Sequence, residues 1–117
     1  MAMLKKLMVV VSAGLVALVL MGASGTIDGK TARALVSEKK ATLIDVRTEE
    51  EFAAKHIDGA INIPVDDLEK RLPELKDKKT TEIVVYCQSG GRSAKAAALL
   101  KDKGFTKVND LGGMKNW

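Results

Sequence analysis

Short apolar runs rich in β-branched residues alternate with helix-forming segments along most of this 117-residue chain. Runs of four to five such residues are the length of a strand that is buried on both faces. Strands that alternate with helices predict an α/β fold, with a central parallel sheet of about four to five strands and helices on both faces. The predicted strands cover residues 42–46, 60–63, 82–86 and 106–110.

One helix is predicted before the first strand, and one between each pair of successive strands. Thr48 is an expected helix cap, because it precedes three glutamates that favour the positive end of a helix. Pro73 should interrupt the third helix, and Gly104 should end the fourth. Gly112 and Gly113 are expected to begin a last helical turn. The predicted helices cover residues 28–40, 49–55, 66–75 and 93–103.

The first 25 residues have a different composition from the rest. Lys5 and Lys6 precede an almost wholly apolar run over residues 7–21, and small residues follow at 22–25. This order predicts a signal peptide and an exported protein, periplasmic or secreted. An uncleaved membrane anchor is the main alternative, although the apolar run is short for a span. Residues 26–117 would then form a single domain.

The charge of that domain is close to balanced. The whole chain carries a formal net charge of +4, but two of its 19 basic residues precede the apolar run and all 15 acidic residues follow it. A mild, mixed charge argues against a nucleic-acid partner. Contact with a membrane is expected only through residues 1–25, and the domain is expected to be a monomer.

Cys87 is the only cysteine, so an internal disulfide is excluded. With His56 as the only histidine, a metal site is not expected, and no cofactor is implied. Cys87 could therefore be a small core residue, a reactive thiol or the partner of a cysteine in another chain.

The surroundings of Cys87 favour a reactive thiol. It follows a predicted buried strand and precedes a predicted helix, which places it at the carboxyl edge of a parallel sheet, where ligands bind. Gly90 and Gly91 would let the loop curl so that its N–H groups point inward, and Arg92 adds a cation. Inward N–H groups, a helix N-terminus and a cation all stabilise a thiolate.

The loop from Cys87 to Ser93, with the pattern Cys-x-x-Gly-x-Arg-Ser, resembles the active-site loop of single-domain rhodaneses, in particular of small exported ones. Three further segments resemble motifs of that family, and together the resemblance covers about residues 27–117. These segments are Leu-Ile-Asp-Val-Arg at 43–47 with Glu51-Phe52, His-Ile-Asp-Gly-Ala-Ile-Asn-Ile-Pro at 56–64, and Gly-Gly-Met-Lys-Asn-Trp at 112–117.

The resemblance implies a sulfurtransferase that takes a sulfane sulfur from an anionic donor such as thiosulfate. Cys87 would carry the sulfur as a persulfide and pass it to a thiophilic acceptor such as cyanide. The residues implied to hold the donor and the persulfide are Gln88, Ser89, Gly90, Gly91, Arg92 and Ser93.

Asp45 and Arg47 are candidate supporting residues, because Asp45 lies at the end of the first predicted strand and could therefore be near the Cys87 loop. We expect Asp45 to brace loop N–H groups and Arg47 to pair with Glu51. His56 is expected to be structural, since an ionised Cys87 needs no general base.

Family members often continue beyond the segment that ends here with Trp117, so the pocket edge is expected to be more open or to be closed by another part of the protein.

Two other functions are compatible with a cysteine loop. A phosphatase or arsenate reductase needs five residues between cysteine and arginine, whereas four lie between Cys87 and Arg92. A sulfur carrier or thiol redox sensor could use the same loop without turnover, and only turnover with thiosulfate would distinguish it from an enzyme.

Overall fold

A computed structural model describes residues 25–117, which form one sheet of four parallel strands in the order β2-β1-β3-β4. The strands are β1 (Thr42–Asp45), β2 (Ile61–Asn62), β3 (Ile83–Cys87) and β4 (Val108–Gly113). The α-helices are α1 (Gly29–Glu38), α2 (Glu49–Ala54), α3 (Val65–Leu68) and α4 (Gly91–Asp102), and 3-10 turns cover Leu72–Lys78 and Met114–Asn116.

Two apolar clusters cover the two faces of this sheet. On one face, Ile83, Val85 and Cys87 of β3 pack with Leu100 of α4. On the other face, Val84 and Tyr86 pack with residues of α1 such as Ala32. Successive residues of a strand point to opposite faces of the sheet, so alternate residues of β3 contribute to the two clusters. The predicted α/β architecture, with helices on both faces of a parallel sheet, is confirmed.

Three predicted elements differ most from their predicted bounds. Helix α3 is only four residues long, and Pro73 lies in the first turn of the separate 3-10 segment, because proline lacks the N–H that a continuing helix needs. Strand β2 has two residues instead of four. Gly112 and Gly113 belong to β4, so the expected last helical turn begins only at Met114.

The predicted cap of α2 is confirmed in detail. The Thr48 hydroxyl accepts the Glu51 backbone N–H at 3.2 Å, and the Glu51 carboxylate accepts the Thr48 backbone N–H at 3.0 Å. This reciprocal pair satisfies two N–H groups that the helix start leaves free. It also fixes the direction of the Glu51 side chain.

The predicted signal peptide or membrane anchor lies outside the described residues, except for Gly25. Within residues 25–117, no helix has both the length and the apolar character that crossing a membrane requires.

Tyr86 connects the central strand to the segment after α2. Its side chain is fully buried, and its hydroxyl accepts the backbone N–H of Ile57 at 3.0 Å. We expect Tyr86→Phe to leave that buried N–H without a partner and to lower the free energy of unfolding by about 1–3 kcal/mol. Urea denaturation of both proteins measures the difference, and equal stability would show that the hydrogen bond contributes nothing.

Candidate active site

Cys87 is the last residue of β3 and is 1% exposed. Its side chain lies on the sheet face that packs against α4, because it shares the orientation of Ile83 and Val85. Because Cys87 ends this buried strand, its thiol lies at the carboxyl edge of the sheet, as the sequence predicted. Burial alone would also suit a core residue, so the contacts of the sulfur decide between the two interpretations.

The loop after Cys87 folds back over the sulfur. The Gly90 backbone N–H points at the Cys87 Sγ, with 2.9 Å between nitrogen and sulfur. Gly90 adopts a φ of 115°, which side-chain-bearing residues rarely reach, and it is the N-cap of α4. Helix α4 begins at Gly91, two residues before the predicted start, so its N-terminus lies directly beside the thiol.

These contacts lower the pKa of Cys87. Burial acts against ionisation and would raise the pKa, but hydrogen bonds from the Ser93 hydroxyl and from the backbone N–H groups of Ser93, Gly90 and Ser89 outweigh it. The Ser93 hydroxyl also lies 3.1 Å from the Gly90 carbonyl oxygen, to which it can donate while the sulfur is protonated. These contacts therefore make Cys87 easier to ionise to the thiolate than an isolated cysteine.

Arg92 does not point freely into solvent. Its guanidinium forms a two-pronged ion pair with Glu51, at 2.7 and 3.1 Å. This ion pair, together with the capping bonds of Thr48, lowers the pKa of Glu51 to about 2. The positive charge expected beside Cys87 is therefore compensated by a carboxylate on α2. Glu51 is the partner that the sequence did not predict for Arg92.

Asp45 and Arg47 form a buried ion pair. The Asp45 carboxylate accepts three contacts from the Arg47 guanidinium, the shortest at 2.7 Å, and also accepts the Arg47 backbone N–H at 2.9 Å. The predicted pairing of Arg47 with Glu51 is wrong, because the nearer Asp45 is buried with Arg47 while Glu51 is engaged by Arg92. The hydrogen bond to Asp45 raises the pKa of Arg47 although burial opposes it.

Arg47 also reaches the cysteine loop. Its Nη1 lies 3.4 Å from the Gln88 side-chain oxygen, and its Nη2 donates to the Lys55 carbonyl at 2.6 Å. Asn62 fixes the β1 end of this arrangement by donating to the carbonyls of Asp45 and Arg47. Arg47 thus links the first strand, the loop and the segment after α2.

Gly113 supports the loop from the other side. A side chain there would begin 2.8 Å from the Gln88 carbonyl oxygen, which is closer than a real Cβ approaches. Strand β4 can therefore lie directly against the cysteine loop only because residue 113 is glycine. The sequence predicted only that Gly112 and Gly113 begin a last helical turn, and it did not predict this contact with the cysteine loop.

His56 lies outside the hydrogen-bonded cradle. Its ring stacks on Phe52, with 3.7 Å between ring centres, and its Nδ1 lies 2.8 Å from the Phe52 carbonyl. It is exposed and sits on the wall of a cleft of about 510 Å³ that opens next to Gln88.

Comparison with known proteins identifies the family. A model described as the rhodanese-like domain matches residues 28–117. The chain belongs to the rhodanese family. It is 37% identical over 73 residues to the thiosulfate sulfurtransferase PspE of Escherichia coli (strain K12), a match that covers 62% of this chain and 70% of PspE.

Two further relatives agree with this family. The human thiosulfate:glutathione sulfurtransferase is 34% identical over 113 residues, covering 83% of this chain and 96% of that protein. The solved structure of the human single-domain sulfurtransferase TSTD1 matches with a TM-score of 0.70 and 33% identity, covering 79% of this chain and 93% of that one. The rhodanese domain and these relatives support sulfur transfer.

Other relatives have different names. YrkF of Bacillus subtilis (strain 168), named as a candidate sulfur carrier, is 42% identical over 82 residues, and the chain spans 43% of its length. The chain also spans 24% of a tRNA uridine(34) hydroxylase from Enterobacter sp. (strain 638), to which it is 33% identical. The relatives of this chain therefore have names that describe different functions.

We expect Ser93→Ala to raise the pKa of Cys87, because the substitution removes a hydroxyl that stabilises the thiolate. Iodoacetamide alkylation, followed against pH, should show its midpoint at higher pH than in the unsubstituted protein. Ser89→Ala is the matched control, since it keeps the backbone N–H of residue 89. An unchanged midpoint in Ser93→Ala would show that the backbone alone sets the thiol pKa.

We expect Glu51→Gln to destabilise the fold at pH 7 by about 0.5–1 kcal/mol, because glutamine keeps the capping contact but loses the charge pairing with Arg92. The folded pKa of Glu51, about 2, lies below its unfolded value of 4.5, so the stabilisation is complete above pH 4.5 and disappears as the pH falls towards 2.

The stability difference between Glu51→Gln and the unsubstituted protein should therefore shrink over this acid range. Urea midpoints measured from pH 7 down to the lowest pH at which the protein stays folded test the expectation. A difference that does not depend on pH would show that the carboxylate charge is not responsible.

Proposed function

We propose that this rhodanese domain is a thiosulfate sulfurtransferase that carries the transferred sulfur as a persulfide on Cys87. The observation that carries the proposal is the Gly90 N–H aimed at the Cys87 Sγ from 2.9 Å. A backbone donor held in this position stabilises a thiolate before reaction and has the geometry to stabilise an anionic persulfide after it.

In the first half-reaction, the Cys87 thiolate attacks the outer sulfur of thiosulfate. A new S–S bond forms to Cys87, the S–S bond of thiosulfate breaks, and its electron pair leaves with sulfite. Charge is conserved, because a thiolate and a dianion become an anionic persulfide and sulfite dianion. No general base is needed when the thiol is already ionised.

In the second half-reaction, a nucleophilic acceptor attacks the outer sulfur of the persulfide. The bond between the two sulfurs breaks, and its electrons return to Cys87 as thiolate. Cyanide serves as the assay acceptor and gives thiocyanate. The name of the human relative supports a thiol as another acceptor.

The residues proposed to bind donor and persulfide are those of the loop, from Gln88 to Ser93. Arg92 attracts an anionic donor less strongly than an unpaired arginine would, because its charge is compensated by the ion pair with Glu51. We therefore assign most of the anion binding to the backbone N–H groups and the start of α4. Arg47 and Asp45 hold the loop in position through the Gln88 side chain.

We propose that the protein works after export, in the periplasm or outside the cell, with the membrane-anchored form as the alternative. The support is the order of lysine pair, apolar run and small residues at the N-terminus. A monomer is proposed, since transfer through one cysteine requires no second copy.

A sulfur carrier is the second candidate, and the name of YrkF favours it. A carrier would accept sulfur on Cys87 but release it only to a partner protein. Steady-state thiocyanate formation from thiosulfate and cyanide separates the two, because a carrier gives at most one turnover without its partner.

The deciding test is intact mass spectrometry without reductant. We expect thiosulfate to add about 32 Da, the mass of one sulfur, and cyanide to remove it. Cys87→Ser should fold normally, as judged by circular dichroism, and gain no mass. A mass gain that persists in Cys87→Ser would place the sulfur elsewhere, and no gain in the unsubstituted protein would exclude thiosulfate as the donor.

A further inference from the structure

Arg92 is the only charged residue of the loop from Cys87 to Ser93, and a distant carboxylate compensates its charge. The guanidinium donates to both oxygens of Glu51, at 2.7 and 3.1 Å. Glu51 belongs to α2 and precedes Arg92 by 41 residues in the chain. A loop that is proposed to attract an anion therefore carries a paired arginine instead of a free one.

The start of α2 fixes the position of the Glu51 carboxylate. Its Oε1 accepts the Thr48 backbone N–H at 3.0 Å and the Thr48 hydroxyl at 3.1 Å. These contacts belong to the capping box, which holds the side chain in one direction. The helix cap therefore presents a carboxylate to the cysteine loop, and Arg92 pairs with a group that is already held in place.

The Glu51–Arg92 pair is close to Cys87 and open to solvent. The side chains of Arg92 and Glu51 are 37% and 33% exposed, whereas those of Arg47 and Asp45 in the neighbouring pair are 4% and 0% exposed. The hydrogen bond with Glu51 raises the pKa of Arg92, and the negative charge of an ionised Cys87 raises it further. An anion that approaches the sulfur thus comes under the influence of both members of the exposed pair.

We infer that Glu51 is a specificity-determining residue, which lowers the affinity of the loop for doubly charged anions by compensating the charge of Arg92. The Coulomb energy of an anion is proportional to its charge, so a free arginine would favour dianions over monoanions. The pair removes this advantage. Singly charged sulfur donors such as thiosulfonates then compete with thiosulfate, and sulfate, which carries no transferable sulfur, is kept from occupying the loop. The inference deepens the proposed function and rests on it for the class of donor.

The first measurement compares two alkylating reagents that differ by one charge. Iodoacetate is an anion and iodoacetamide is neutral, and each forms a C–S bond to the Cys87 thiolate with loss of iodide. The ratio of the two rate constants reports the electrostatic potential at the sulfur, because the fraction of thiolate cancels. Glu51→Gln should raise the ratio of iodoacetate to iodoacetamide about threefold, the effect of one exposed charge.

Arg92→Gln is the opposite variant. It leaves the Glu51 carboxylate uncompensated and should lower the ratio about threefold. Glu51→Gln/Arg92→Gln removes both charges and should return the ratio to that of the unsubstituted protein. Glu50→Gln is the matched control, because it removes the same charge from the adjacent exposed residue of α2 and keeps the ion pair. We expect the ratio in this control to be unchanged.

Either of two results would overturn the inference. A ratio that rises equally in Glu51→Gln and Glu50→Gln would indicate an effect of total charge. An unchanged ratio in Glu51→Gln would show that its carboxylate does not act on anions at the sulfur. Circular dichroism checks the fold of each variant. If Glu51→Gln does not fold, Arg92→Gln decides the matter, since an unchanged ratio there would also overturn the inference.

Sulfate tests the exclusion of dianions without any sulfur transfer. When sulfate occupies the loop, it should slow the alkylation of Cys87 by iodoacetamide. The sulfate concentration that gives half-maximal protection, measured at constant ionic strength, should be about tenfold lower in Glu51→Gln, because the effect of one charge is squared for a dianion. The same concentration in both proteins would show that Glu51 does not exclude dianions.

Donor kinetics test the dependence on charge during turnover. The kcat/KM for a donor reports the first half-reaction alone when the two half-reactions are separate. With cyanide as acceptor, Glu51→Gln should raise kcat/KM about tenfold for thiosulfate and about threefold for benzenethiosulfonate, a monoanion, chiefly through a lower KM. Equal gains with both donors would show that the substitution acts on Cys87 and not on the charge of the donor, and would overturn the inference.

The two proposals can fail separately. If thiosulfate adds no sulfur to Cys87 but the alkylation ratio and the sulfate protection change as expected, the proposed donor is wrong and the role of Glu51 stands. If the persulfide forms and cyanide removes it while the ratio is the same in Glu51→Gln, Arg92→Gln and the unsubstituted protein, sulfur transfer stands and the role of Glu51 is wrong.

Discussion

The site depends on the very short connection between β3 and α4. Cys87 ends the strand and Gly91 begins the helix, so three residues must turn the chain and close over a sulfur. Gly90 makes this possible with a φ of 115°, which turns its N–H towards the Sγ. The same geometry brings the N-terminus of α4 to the thiol, so one backbone turn supplies both the hydrogen bonds and the local positive potential.

A turn of this kind needs support from residues outside it. Strand β4 lies directly against the loop because Gly113 has no side chain that would clash with the Gln88 carbonyl. On the other side, Arg47 contacts the Gln88 side chain while Asp45, buried beneath it, fixes the guanidinium. A buried ion pair contributes little net stability, because desolvation offsets the attraction, but its directional contacts fix the position of the groups it joins.

Charge around the cysteine is distributed differently from what residue types suggest. Arg92, the cation nearest to Cys87 in the chain, is held by Glu51 in an ion pair that is about one-third exposed. Lys55 and Lys115 line the neighbouring cleft next to Gln88, outside the contacts of the Cys87 sulfur. The groups that lower the pKa of Cys87 are the Ser93 hydroxyl and the backbone N–H groups of the loop.

Much of the fold and the position of Cys87 could be predicted from local patterns in the chain. The apolar run before Cys87 predicted a buried strand, the glycines after it predicted a tight loop, and Thr48 with its glutamates predicted a capped helix. These features depend on neighbours within about four residues, where backbone preferences and caps act. The lengths of β2, α3 and β4 were less predictable, because pairing with adjacent strands decides where a short strand ends.

Only the tertiary structure decided which charges meet. Glu51 and Arg92 are 41 residues apart in the chain, as are Arg47 and Gln88, and no local pattern distinguishes these partners from other choices. Both Asp45 and Glu51 were available to Arg47, and burial beside the carboxyl end of β1 selected Asp45. The sequence by itself determined where the Cys87 sulfur would lie and which backbone would surround it. Packing of strands and helices determined the partners of the charged side chains and the cleft beside them, because distances across the sheet edge are set by the fold as a whole.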